Sequence, residues 1–283
     1  MPRSKIHIAK YEPGRLGGGW SFARQFSEAL KDQHTNYDES DVYFIPSPSM
    51  VERSDVEQAK RDGKYIALRV DNIIRNSRNR NTGMSRMRDM SEMADVVIYQ
   101  STFARDILKG WVKPQSEAII LNGCNRSVFH DNDRHESPYN RYLYSRYNRD
   151  ETKNWEMARF IYEQAASTDP DSVLTIIGQF SQELRDYNFD FYRGEKWQYL
   201  GVVANPASLG EIYRNTDYLI YTYFNDACSN TLIEALCCGC EIVDPYAMQD
   251  TGGSGEIMYY FEQRGANYFS AERMVKEYIE VLQ

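Results

Sequence analysis

Short apolar runs alternate with longer amphipathic stretches along almost the whole chain, and no other feature limits its fold as strongly. Residues 6–11 read as a first strand. A glycine-rich turn follows at 14–19, then a helix over 20–30 with Phe22, Phe26 and Leu30 at a spacing of four. Further strands are expected at 42–46 (stopped by Pro46), 64–70, 96–99 and 118–121, with helical stretches between several of them. Residues 130–138 then break the rhythm: they are polar, aperiodic and contain Pro138, and read as a linker. The alternation restarts with strands at 141–144, 172–177, 199–203, 217–222 and 241–243 and helices at 154–166, 209–215 and 229–238. The chain closes with an amphipathic helix at 271–282 that places Met274, Tyr278 and Val281 on one face. This is the pattern of parallel α/β sheets, read twice. It predicts an N-terminal α/β domain at 1–132, a second at 133–270, and a last helix at 271–283. In such sheets ligands collect at the carboxyl ends of the strands, and two sheets facing each other enclose a cleft.

Composition narrows the function. The 283 residues carry 33 basic and 41 acidic side chains, a net charge of -8, which argues against coating nucleic acid through bulk charge. No apolar run approaches the roughly 18 residues of a membrane span, and the N-terminus lacks the apolar core of a signal peptide. The expected location is the cytoplasm, with peripheral membrane attachment compatible. Of the five cysteines, Cys237 and Cys240 have CxxC spacing, but no second pair or nearby histidine completes a zinc site. They read as reduced, partly buried thiols. The 22 tyrosines suit half-wet clefts without naming a ligand.

Three regions carry chemistry. Gly14, Gly17, Gly18 and Gly19 follow the first strand, where glycines let a backbone approach a ligand and free amides at the next helix N-terminus. The spacing is neither GxGxxG nor a Walker A sequence. The second region runs from Asn225 to Cys238. Its helix is apolar almost all round and should be buried, yet it contains Glu234, and a buried carboxylate needs a partner such as a sugar diol or a cation. Asp226 precedes Glu234 by eight positions, in the loop, where it can reach the same ligand or simply cap a turn. Ser229 or Asn230 can cap the helix. The third region holds Arg69, Arg75, Arg78, Arg80, Arg86 and Arg88 with Asp71 as the one acid before Asp89. It reads either as a solvated loop or as a site for an anionic acceptor: a lipid phosphate, an acidic glycan or modified nucleic acid.

The run from Asp226 through Glu234 to Ala235-Leu236-Cys237-Cys238-Gly239 resembles the acidic-x7-Glu motif of retaining GT-B glycosyltransferases of family 4, with Asp226 where the family usually has Glu. The likeness extends to Arg146 and Lys153 after the first strand of the second half, similar to the family's diphosphate-holding Arg and Lys, with Arg149 the alternative to Arg146. It also covers Leu121-Asn122-Gly123-Cys124, Ile176-Ile177-Gly178, Tyr199-Leu200-Gly201 and the glycine-rich Thr251 to Glu256 stretch. The resemblance implies an α/β chain of GT-B type, with two Rossmann-like domains, 1–132 and 133–270, facing a central cleft, and the final helix at 271–283 packing back on the first. It implies retaining transfer of a sugar from a nucleoside diphosphate sugar, UDP- or GDP-linked, to a glycan, lipid-linked or other acceptor. Glu234 would accept hydrogen bonds from the ribose, Asp226 from the transferred sugar, and Asn230 and Thr231 would join the donor site. Gly18 and Gly19 match the family's acceptor-side loop. The basic residues would stabilise the leaving diphosphate without a metal or other cofactor. The family's first-domain histidine has no counterpart in context, since His7 lies in the first strand and His34 in a polar loop. The corresponding stretch is Arg69-Val70-Asp71-Asn72, where Asp71 at a strand's carboxyl end reads either as a contact for the acceptor or donor sugar or as a turn-forming residue. Other readings are a non-catalytic nucleotide-sugar or nucleic-acid binding protein on this fold, and a sugar-nucleotide epimerase, which the poor supply of histidines disfavours.

Overall fold

The computed structural model describes residues 5–12, 18–71, 73, 80–147, 153–179, 196–244 and 252–283. Gly18, 80–82 and 146–147 are described there by their backbone alone. The chain divides into two compact units: Met1–Asn125 with Asn225–Asn230 and Gly252–Gln283, and Arg126–Phe224 with Thr231–Thr251.

In the first unit five parallel strands lie in the order β1 (Ile6–Ile8), β2 (Val42–Ile45), β3 (Tyr65–Val70), β4 (Val96–Tyr99) and β5 (Glu117–Ile119). Alternation along each strand feeds two separate cores. Ile6, Ile8, Val42, Phe44, Ala67, Val96 and Ile98 meet α1 (Gly18–Leu30) through Phe22, Phe26 and Leu30. Tyr43, Ile45, Ile66, Leu68, Val70, Val97 and Tyr99 meet α2 (Arg53–Arg61), α3 (Arg80–Met93) and α4 (Thr102–Leu108) on the other face. Both faces being covered explains why β2 and β4 are buried at every residue.

The second unit has five parallel strands in the order β10 (Glu241–Val243), β9 (Tyr218–Ile220), β6 (Arg141–Tyr147), β7 (Val173–Gly178) and β8 (Trp197–Gly201). The winding leaves β6 toward β7 and β8, then reverses to β9 and β10, so the topological switch lies between β6 and β9. The first unit shows no such reversal among its described strands. Helices α5 (Trp155–Thr168), α6 (Pro206–Arg214) and α7 (Asn230–Cys237) follow β6, β8 and β9; the first residue of α7, Asn230, belongs to the first unit.

Two further helices belong to the first unit. α8 (Gly253–Arg264) is the element that the sequence reading left unassigned, because its twelve residues carry no clear apolar stripe. α9 (Ala271–Leu282) lays Met274, Val275, Tyr278 and Leu282 into the same core as α1. The Tyr278 ring lies 5.5 Å from Phe22, 5.1 Å from Phe26 and 5.6 Å from Phe44. The segment 130–138 is tied into the second unit: Arg134 donates to the carbonyls of Cys238 and Thr216, both at 2.9 Å. Arg126 does the same for Cys237 at 2.9 Å. The unit boundary therefore falls after Asn125, seven positions before the 1–132 division expected from the sequence, and the first unit also takes in 252–270.

Tyrosine serves the second unit as a core ring with a polar tip. Tyr162 OH donates to Ser172 O at 3.0 Å and Lys196 O at 2.9 Å, while its ring packs on Tyr142. Arg141 clamps Asp217 through Nε at 3.0 Å and Nη2 at 2.8 Å, and its backbone amide adds a bond at 2.9 Å. Burial pushes the Asp217 carboxyl up, but these bonds and the charge of Arg134 outweigh it and hold its pKa below the ordinary value. A carboxyl depressed in this way contributes stability above its unfolded pKa and loses it as pH falls through the folded one.

Two outcomes are expected. Tyr278→Ala should cost the first unit about 3–5 kcal/mol in denaturant unfolding, the loss of a fully buried aromatic ring. Asp217→Asn should cost about 1–2 kcal/mol at neutral pH, allowing for part exposure, and the gap to wild type should close in acid, below the ordinary carboxylate range.

Candidate functional site

The residues that can meet a ligand gather at the carboxyl ends of the two sheets, one set in each unit.

In the second unit the set surrounds the switch point. β6 and β9 pair through Tyr142 with Tyr218 and Leu143 with Leu219. Beyond Tyr144 the register of β6 slips before Tyr147 pairs with Gly178, so the strand is irregular at Ser145 and Arg146. Such bulges re-aim side chains at strand ends. Arg146 lies in β6 but only its backbone is described, and Arg149 falls outside the described residues. Lys153 is held firmly: its carbonyl accepts from Tyr144 OH at 2.9 Å and Thr222 Oγ1 at 2.7 Å. Its ammonium lies 3.9 Å from the centre of the Tyr223 ring. Asn154, in the left-handed region at φ 50°, caps α5 by accepting from Met157 N. Lys153 thus stands two residues before the start of a fourteen-residue helix whose N-terminal amides favour anions.

α7 is buried on all sides from Thr231 to Cys237. Glu234 is 5% exposed, which removes the solvated-face reading of this carboxylate. Thr231 lies one turn earlier on the same face, and its hydroxyl oxygen has no hydrogen-bond partner among the described residues. The cysteines around them are all buried thiols. Burial pushes the thiols of Cys228 and Cys240 up to about 12 and raises that of Cys238 as well, so these three stay protonated at neutral pH.

In the first unit the set begins with Gly18 and Gly19, the first residues of α1. A side chain at Gly19 would meet Met50 Sδ at 3.1 Å, Asp71 Oδ2 at 3.3 Å and Ser47 Cβ at 3.3 Å. The structure therefore brings Gly19, Ser47 after β2 and Asp71 after β3 to one place. Beside them run Gln100 and Ser101 after β4 and Asn122 after β5, all buried. The segment 225–230, which carries Asp226 and Asn230, is anchored here. Its carbonyls at 226, 227 and 228 accept from Gly253 N at 2.8 Å, from Ser101 Oγ, and from Asn122 Nδ2 at 3.1 Å. Gly253 is required by this approach, since a side chain there would collide with the Ala227 carbonyl. Glu256 adds a cap, accepting from Thr102 N at 2.8 Å and Oγ1 at 3.1 Å at the start of α4. The two acids of the motif, Asp226 and Glu234, accordingly belong to different units.

Of the arginine-rich stretch, the side chains described are those of Arg69, Arg86 and Arg88. Arg69 is 1% exposed and lies inside the first unit. Arg86 pairs with Glu52 and Arg88 with Asp89, acids that linear counting from 69 to 88 does not capture. Arg75 and Arg78 lie outside the described residues. His7 packs between Tyr37 and Tyr43, and His34 bonds Ser27 at 2.9 Å, with burial lowering the pKa of both. Sequence reasoning gave no weight to Gln100, Ser101, Thr222 and Tyr223. The available signal was a polar or aromatic residue directly after an apolar strand run.

No protein-family model matches the chain, and no curated protein matches it in sequence. Solved structures do. Sucrose-phosphate synthase from Thermosynechococcus elongatus is 13% identical with a TM-score of 0.68, over 99% of this chain and 95% of that one. The pneumococcal O-GlcNAc transferase GtfA, in complex with UDP and GlcNAc, is 15% identical with a TM-score of 0.64, over 94% of this chain and 60% of that one. TarM from S. aureus, as a variant in complex with UDP and alpha-GlcNAc-glycerol, is 13% identical with a TM-score of 0.63, over 85% of this chain and 49% of that one. The chain thus spans almost the whole of one relative and about half to three fifths of the others. Likeness at these identities speaks for architecture, and on that ground the chain has the α/β GT-B fold of these glycosyltransferases.

Proposed function

We propose that the chain is a glycosyltransferase resembling family 4, moving a sugar from a UDP- or GDP-linked donor to a glycan, lipid-linked or other acceptor with retention and without a metal. The observation that carries this is the switch point of the second unit: Lys153 and the N-terminus of α5 follow β6, and α7 with the buried Thr231 and Glu234 follows β9, the two strands that flank the place where such sheets bind nucleotides. Two of the similar structures hold UDP, which supports a uridine or related donor.

Breaking the bond from sugar to diphosphate builds negative charge on the departing phosphate. A cation already fixed in place stabilises that charge without reorganising during the step. Lys153 is pre-set in this sense, because two hydroxyls hold its carbonyl and the Tyr223 ring supports its ammonium. The α5 amides add partial positive charge. Arg146 or Arg149 supplies a second cation. Glu234, kept from water, selects the ribose hydroxyls, and Thr231 Oγ1 offers a further hydrogen bond. Asp226 and Asn230 meet the transferred sugar, while Gly18, Gly19 and Asp71 take the acceptor. Among the described residues no helix is long and apolar enough to cross a membrane, and we place the enzyme in the cytoplasm, in contact with membranes where its acceptor is lipid-linked.

The test is a thermal-shift and calorimetric screen with UDP, GDP, ADP and their common sugars. One nucleotide is expected to raise the melting temperature of wild type, and Glu234→Ala and Lys153→Ala should each weaken its binding about tenfold or more while still folding. A folded wild type that binds none of these nucleotides overturns the assignment.

A further inference from the structure

Asn122 stands out in the first unit because every polar atom of its side chain is engaged and it is only 3% exposed. Its Oδ1 accepts from Arg69 Nη2 at 3.1 Å. Its Nδ2 faces three oxygens: Gln100 Oε1 at 2.8 Å, Asn230 Oδ1 at 2.9 Å and the Cys228 carbonyl at 3.1 Å. Its backbone amide also donates to Cys228 Sγ at 3.4 Å.

The direction of the amide follows from its neighbours. Arginine has donors only, so the atom facing Arg69 must be the oxygen. Gln100 gives a second constraint. Its Nε2 donates to the Val70 carbonyl at 3.1 Å, which turns its oxygen toward Asn122. The Asn122 amide is therefore locked with its two hydrogens shared among Gln100 Oε1, the Asn230 side chain and the Cys228 carbonyl. Arg69 is itself locked by a bond from Nη1 to the Pro46 carbonyl at 3.1 Å and by the Phe22 ring, 3.8 Å from its guanidinium carbon. A buried cation in this setting holds a polar partner in one orientation, and replacing that partner is costly.

Resting on the reading of Asp226 as a sugar-contacting acid, we infer that Asn122, oriented by Arg69, is a positioning residue that fixes the 226–230 segment on the first unit. It touches neither donor nor acceptor. It acts by holding the backbone two residues beyond Asp226 and the side chain of Asn230. A transferred sugar would then be met by a carboxylate placed in advance, and losing that placement should lower turnover more than nucleotide affinity, because the nucleotide-contacting residues belong to the other unit.

Cys228 supplies a readout that needs no substrate. It lies within the held segment, it is 5% exposed, and four other buried thiols serve as internal controls. The experiment is native-state alkylation with iodoacetamide, resolved by site, on wild type, Asn122→Ala and Asn122→Asp. Asn122→Ala also strips an acceptor from a buried arginine, so Asn122→Asp carries the test. It keeps the volume and an oxygen for Arg69 but turns the donor into an acceptor facing the Cys228 carbonyl. Cys228 should react about tenfold faster or more in Asn122→Asp, with Cys124, Cys237, Cys238 and Cys240 unchanged. In the same variant UDP affinity should stay within about twofold of wild type, while kcat falls about tenfold or more. The kcat is read with whichever of UDP-glucose, UDP-N-acetylglucosamine and GDP-mannose the wild type turns over. Unchanged labelling at Cys228 in both variants overturns the inference, and so does a parallel rise at all five thiols. Selective labelling with kcat intact overturns it as well. A wild type that binds no nucleotide removes the reading of Asp226, and the labelling alone then decides whether Asn122 anchors the segment.

Discussion

A parallel sheet covered on both faces leaves its polar side chains one place to work, the edge where the strands end and the loops begin. Everything chemical in this chain follows from that constraint. The strands are buried and apolar at their centres, and polar groups appear at or beyond their carboxyl ends: Ser47, Asp71, Gln100, Ser101 and Asn122 in one unit, and in the other Ser145 within the irregular end of β6, Lys153 six residues past it and Thr222 after β9. Because these groups emerge from fixed strands, each can be held by a neighbour without help from water. Lys153 is the clearest case, pinned by hydroxyls from the ends of two strands that lie on either side of the reversal in winding. Arg69 is the costly one. Its charge is withdrawn from solvent and met by a carbonyl, an amide oxygen and an aromatic face.

Much of this was legible in the sequence, for identifiable reasons. Strand positions came from runs of branched and aromatic residues, and both faces being buried made those runs continuous. The buried nature of α7 was legible because Thr231 to Cys238 has no polar face apart from Glu234. Strand order was not legible, since pairing depends on where helices cross and leaves no local trace. The unit boundary was misplaced toward 132 because a polar, proline-containing stretch reads as a linker. Here Arg126 and Arg134 use that stretch to close off backbone carbonyls of the second unit. α8 was missed because a helix beginning at Gly253 and Gly255 lacks the apolar stripe that periodicity detects. The arginine stretch reads from the sequence either as a solvated loop or as an anion site. Charge counted along the chain cannot see that Glu52 reaches Arg86, or that Arg69 turns inward.

The acidic motif shows what linear reading hides. Asp226 and Glu234 are eight positions apart and were read as one constellation. The fold assigns them to separate compact bodies, with Asn230 the last residue of the segment anchored on the first. A single stretch of chain therefore contributes to two independent scaffolds, and each carboxylate inherits the stability of the body that carries it.

That division has a bearing on how such a chain can be recombined. An exchange that transplants residues 126–251 as one block from a relative would import a new 225–230 segment into a first unit whose Gly253, Ser101 and Asn122 are shaped to receive the old one. Compatible chimeras would need to swap that six-residue insert together with its receptor on the first unit. The seams that respect the fold lie at 125/126, 224/225, 230/231 and 251/252.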